Sequence, residues 1–174
     1  MRTVFEGKMP VHYGQFYVEA GGGTPGMEEC FAGQRNGLCG AAVPGHLFFV
    51  TGLHTGDVGL TVELHEQPPP LDETWEDIVE ASFHPRAKAM LTQWAGEQSW
   101  DLGLTETDYR VRYSGKDMEA AQEEDTTLDD EPLIDHYLLQ FWPAPPTPDI
   151  VVKQASSTAE YWHDFASQQP PRQA

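Results

Sequence analysis

The strongest constraint on this chain is an apolar–polar alternation with a period of two, cut into short runs by glycine and proline. Val58, Leu60, Val62 and Leu64 fall on one side of an extended segment, and Gly59, Thr61, Glu63 and His65 on the other. That is the pattern of a strand with one dry and one wet face. Trp100, Leu102 and Leu104 alternate with Asp101 and Gly103, and Tyr109, Val111 and Tyr113 alternate with Arg110 and Arg112. His46–Thr51 is apolar on both faces, as a strand buried at the centre of a sandwich would be. Further strands are expected at Val11–Val18, with Gly14 as a bulge, and at Glu76–His84, Ala87–Trp94, His136–Trp142 and, as a short edge, Ile150–Lys153.

The breaks between runs predict connections. Gly52–Asp57 is rich in turn residues and predicts an antiparallel pairing of the runs on either side. Asn36-Gly37 predicts a hairpin tip joining Cys30–Gln34 to Leu38–Val43, since a type I′ turn needs two positive φ angles. Pro68–Pro70 ends the strand before it, because proline cannot donate to a ladder. One helix is expected, opened by Ser157 and Glu160 as a capping box and docked through Tyr161, Trp162, Phe165 and Ala166. The repeated amphipathic helices of a parallel α/β fold are missing. The expected class is therefore all-β, an antiparallel β-sandwich with one short C-terminal helix. Residues 1–167 would form a single domain and residues 168–174 a flexible tail.

Charge narrows the partners. Ten Lys and Arg stand against 28 Asp and Glu in 174 residues, a formal charge of −18. Such an excess repels phosphate backbones and anionic lipid and attracts cationic proteins, so neither direct nucleic-acid binding nor membrane association is expected. With 39% hydrophobic residues the chain still has the material for a core. Two cysteines, Cys30 and Cys39, make neither a disulfide framework nor a zinc site. With no signal-like opening, a cytoplasmic location is expected.

The acidity is concentrated. Asp117, Glu119, Glu123, Glu124, Asp125, Asp129, Asp130, Glu131 and Asp135 crowd one connection between two strong strands. Such a segment is either a solvated, mobile loop or a recognition surface for a basic protein. Clustered carboxylates also suit calcium, although the EF-hand spacing is missing. Glu63 and His65 share a strand face, yet no nucleophile elbow, P-loop or paired-histidine motif accompanies them. A non-catalytic protein without metal or cofactor is expected. Trp75 is the one tryptophan outside an apolar run or the helix, and is the candidate for sugar stacking by a ligand-binding sandwich.

A collinear set of segments resembles the competence protein J family, described as inhibitors of a DNA-entry nuclease. The set comprises Tyr13-Gly14-Gln15-Phe16, Gln34-Arg35-Asn36, Asp101-Leu102, Asp108-Tyr109-Arg110-Val111 and Asp135-His136-Tyr137-Leu138-Leu139, spread over about residues 11–142. The chain departs from that family in its acidic insertion after Tyr113, its Pro68–Pro70 loop and its C-terminal helix. The resemblance implies a nuclease inhibitor, and it carries over no individual inhibitory residue. A basic nuclease would then be the partner.

Overall fold

The computed structural model describes residues 1–21 and 23–173. The fold is mainly β, with two sheets and three short helices among the described residues. The six-stranded sheet runs in the order β1 (Arg2–Val11), β5 (Gly56–Leu64), β10 (His136–Pro143), β9 (Tyr109–Lys116), β6 (Asp77–Phe83), β11 (Ile150–Lys153). The five-stranded sheet runs β3 (Cys39–Gly40), β4 (His46–Val50), β2 (Gln15–Glu19), β7 (Met90–Gln93), β8 (Ser99–Asp101). The helices are α1 (Met27–Cys30), α2 (Met118–Glu124) and α3 (Ser157–Ser167).

Period-two patterning locates the strands well. In β5, Val58, Leu60 and Val62 are buried as the alternation requires, and every residue of β4 is buried. β11 lies at a sheet edge, as its short length implies. A column of rings joins the two sheets. Phe16 stacks on Phe49 with centroids 4.9 Å apart, Phe49 meets Tyr113 at 4.9 Å, and Tyr113 stacks on Tyr137 at 5.3 Å. Tyr113 also donates its hydroxyl to the Val50 carbonyl at 3.0 Å, so the one polar atom on the buried ring is satisfied across the core.

Pairing differs from expectation in several places. The six-stranded sheet is mixed, because β5 and β10 run parallel, with Leu60 opposite Tyr137 and Val62 opposite Leu139. Val11–Val18 is not one strand. His12 bridges to Gln15 around a tight turn in which Tyr13 (φ 57°) and Gly14 (φ 62°) are both left-handed, and the strands on either side enter different sheets. β4 and β5 likewise belong to different sheets, so Gly52–Asp57 is a crossover and not a hairpin. Local turn chemistry marks where the chain bends but not which sheet it enters next.

Asn36-Gly37 does not form a hairpin either. Asn36 is buried, and its Oδ1 accepts from the backbone of Leu38 and Cys39. Oδ2 of Asp149 accepts from the backbone N–H groups of Arg35 and Asn36 and from Asn36 Nδ2 at 2.8–2.9 Å. Gly37 is chosen for closeness: a Cβ there would stand 1.8 Å from the Trp162 carbonyl. Its N–H donates to Nδ1 of His163 at 2.9 Å, fastening this loop beneath α3.

The C-terminal helix forms, but two other helices accompany it. Its cap is Ser156 and not Ser157; Ser156 Oγ accepts from Ala159 N at 3.0 Å. Buried Asp77 on β6 holds the cap, accepting from Ala155 N, Ser156 N and Ser156 Oγ at 2.6–3.1 Å. The buried residues of α3 are Thr158, Ala159, His163 and Ala166, with Trp162 and Phe165 half-buried against the core, whereas Tyr161 points out at 65% exposure instead of docking. The tail expected from residue 168 ends in Ala174, which lies outside the described residues. Ahead of it, Gln169 O accepts from Gly33 N, and Arg172 donates to the Ala42 carbonyl.

Candidate functional site

The acidic connection is built onto the body of the protein. Its first part is α2, whose buried residues are Met118 and Ala121. Met118 sits hard against Gly52, where a Cβ would meet the Met118 carbonyl at 2.1 Å; only glycine admits the helix there. α2 also leans on α3: Thr158 Oγ1 donates to Gln122 Oε1 at 2.9 Å, and Ser157 Oγ donates to Glu119. After the helix, the Asp125 carbonyl accepts from both His54 N and Thr55 N, and Thr127 N returns a bond to the Thr55 carbonyl. The chain reverses at Asp125 (φ 68°, ψ −54°) with Thr126 N donating to the Glu124 carbonyl, a γ-turn that costs a non-glycine residue strain.

This scaffold displays Asp117, Glu119, Glu123, Glu124, Asp125, Asp129, Asp130 and Glu131, all exposed. No Lys or Arg lies between residues 117 and 135. Glu123, Glu124 and Asp125 stand at the C-terminal end of α2, where the helix macrodipole is already negative and no basic side chain offsets it. Leu128, 67% exposed, projects among them.

Asp135, expected on the same surface, is not there. It is fully buried, and its Oδ2 accepts from the Tyr137 hydroxyl at 2.6 Å and from Leu53 N at 3.1 Å. Gly52 N donates in turn to the Tyr137 oxygen at 2.8 Å, so a polar chain runs from the Gly52 corner to this carboxylate. Burial pushes the Asp135 carboxyl above its ordinary range, against those hydrogen bonds. Asp135 supports the segment from below and cannot touch a partner.

An aromatic ridge beside the acidic segment has no forerunner in the sequence reading. His12, Tyr13, His54 and Trp94 pack with centroids 4.4–6.0 Å apart. Tyr13 is 57% exposed on its left-handed turn. Clefts open on both sides of the ridge. One, of about 370 Å³, is lined by His12 and Trp94 together with Asp57, Glu97 and Asp129. The other, of about 250 Å³, is lined by Tyr13, His54, Tyr161 and Trp162 together with Gln122 and Asp125. The signal available in advance was the Tyr13-Gly14 pair, which reads as a turn once two left-handed residues are allowed between apolar runs.

The other candidates lie elsewhere. Trp75 is half-buried and lines a separate cleft with Gly7, Lys8, Thr61 and His136, and Lys116 Nζ stands 5.3 Å from its ring centroid, covering one face. Glu63 and His65 do pair, at 2.7 Å, and Gln140 Nε2 donates to the same Glu63 oxygen at 3.0 Å. These belong to a polar row across the outside of the larger sheet, where Glu80 meets Arg110 and Arg112. The two guanidinium groups pin the proline loops, Arg112 donating to the Pro69 and Pro70 carbonyls and Arg110 to those of Thr147 and Pro148. Among the described residues, no group of three or more His, Cys, Asp or Glu is disposed to hold a metal ion. No helix among them is long and apolar enough to cross a membrane.

No protein-family profile matches the chain, and no curated protein matches it in sequence. A solved structure does match in shape: ComJ, inhibitor of the DNA degrading activity of NucA, from Bacillus subtilis. The two superpose with a TM-score of 0.54 at 15% identity, covering 82% of this chain and 98% of that one. The chain has a ComJ-like fold.

Proposed function

We propose that this protein is a non-catalytic binding protein that engages a basic enzyme, a nuclease in the first instance, and inhibits it through its acidic face. We read its two sheets as a β-sandwich scaffold for that face. One observation carries the reading: eight exposed carboxylates between residues 117 and 131, without a basic residue among them, are held in a defined shape by α2, by Gly52 and by the bonds to Thr55. Fixed carboxylates suit a cationic nucleic-acid-binding cleft, because complementary potentials accelerate docking and fix its register. Likeness to ComJ in fold, and the inhibition named for that protein, make a nuclease the first partner to test. The two buried free thiols support a cytoplasmic setting.

The test is direct. Degradation of plasmid DNA by NucA, and by basic nucleases of the organism that makes this chain, is measured with increasing amounts of the protein at low and high salt. Inhibition that weakens steeply with salt is expected. Full nuclease activity at saturating protein in low salt would reject the reading.

A further inference from the structure

The cleft between the ridge and α3 has a composition that selects one kind of occupant. Its walls are the rings of Tyr13, His54, Tyr161 and Trp162, and Asp125 supplies a carboxylate. Tyr13 and Tyr161 are among the exposed large hydrophobic side chains, at 57% and 65%, and both line this one cleft. Its two threonine hydroxyls spend their protons inside the protein: Thr51 Oγ1 donates to the Leu53 carbonyl and Thr158 Oγ1 to Gln122 Oε1. Both oxygens are left as acceptors. No Lys or Arg lines it. Aromatic faces, oxygen acceptors and one carboxylate together fit a flat, donor-rich cation.

We propose that this cleft receives an arginine side chain of the basic partner, its guanidinium stacked on the tyrosine rings and its charge met by Asp125. The inference rests on the reading that the partner is basic, and adds which residue of that partner anchors the contact. Arginine fits better than lysine, because its planar, weakly hydrated head stacks on rings and offers five donors, whereas an ammonium keeps its water. The surrounding carboxylates would steer the partner in; the rings would hold it. Tyrosine and arginine are both enriched at the energetic centres of protein interfaces.

Hexa-arginine and hexa-lysine peptides separate these two contributions. Affinity of the full chain for each is measured across a salt series, together with Tyr13→Ala, Tyr161→Ala and Asp125→Asn. Both tyrosines are exposed, so the variants should keep the fold, which thermal unfolding checks. Expected are an affinity for hexa-arginine about tenfold or more above that for hexa-lysine at physiological salt, and a loss of about fivefold or more in each tyrosine variant. Equal, salt-sensitive binding of both peptides, untouched by either tyrosine variant, would overturn the arginine cleft while leaving the acidic face standing. Binding of neither peptide at low salt would remove both. A dimer in sedimentation that Tyr161→Ala dissolves would give the cleft to a second copy of this chain, and overturn the proposal.

Discussion

The Tyr137 hydroxyl donates to Oδ2 of Asp135 at 2.6 Å, and both residues are buried beneath the corner that carries the acidic segment. Through Gly52 N and Leu53 N, the same two side chains fix the crossover against which Met118 packs. A core ring and a buried carboxylate thus set where eight surface carboxylates stand.

Asp135 should therefore behave as a structural group. Burial raises its folded carboxyl above the unfolded value, so the ionised form costs stability at neutral pH, and that cost disappears as pH falls below the unfolded range. Asp135→Asn retains an acceptor for Tyr137 and Leu53, and should unfold no earlier than the parent at pH 7. Asp135→Ala strands both donors and should cost about 3 kcal/mol in denaturant unfolding. Asp135→Asn, which keeps the acceptor, should leave the salt dependence of partner binding unaltered.

His46 predicts an acid limb. Burial lowers its pKa to about 4, below the ordinary 6.5. The unfolded chain therefore takes up a proton that the folded chain refuses between those values, so stability is present above pH 6.5 and falls as pH drops toward 4. The group accounts for a loss on the order of 3 kcal/mol across that window. His46→Leu should flatten this part of the melting-temperature profile.

At the end of α2, fold and function oppose one another. Glu123→Gln and Glu124→Gln remove like charges from the negative pole of the helix, and each should stabilise the protein by roughly 0.3–1 kcal/mol. The same changes should weaken binding to a basic partner and shallow its salt slope. A double variant that binds as tightly as the parent would show that these carboxylates are bystanders.

Gly37→Ala should be far more damaging than Gly26→Ala. The first Cβ would sit 1.8 Å from the Trp162 carbonyl, whereas the second meets nothing nearer than Glu29 Oε1 at 3.9 Å. Displacing α3 to make room should cost at least about 3 kcal/mol, against under about 1 kcal/mol for the second. Paired thermal melts compare them.

Strand positions were legible because each run carries its own period; β5 and β9 fall nearly where Val58–His65 and Tyr109–Tyr113 alternate. Pairing was not legible. Nothing near Gly52 says that the next strand joins the other sheet, and the parallel match of β5 with β10 is set by residues some eighty positions apart. The acidic segment was visible as composition, and its fixed shape came from Gly52 and Thr55, which lie outside it. Asp135 follows a run of exposed carboxylates in sequence, whereas in space it faces Tyr137, and that contact has no signature in the sequence. The ridge is not legible in the sequence because His12, Tyr13, His54 and Trp94 come from three separate stretches.

The parallel contact of β5 with β10 also governs how the chain assembles. β5 sits second from the edge of its sheet, and its inner neighbour is unavailable until residues 136–143 have been synthesised. An emerging chain thus holds a Val- and Leu-rich strand that is paired with β1 on one edge and open on the other until β10 is made, and such non-local closure is slow. The acidic excess of the sequence acts on this waiting state as well, since mutual repulsion keeps half-made copies from pairing their open strands with each other.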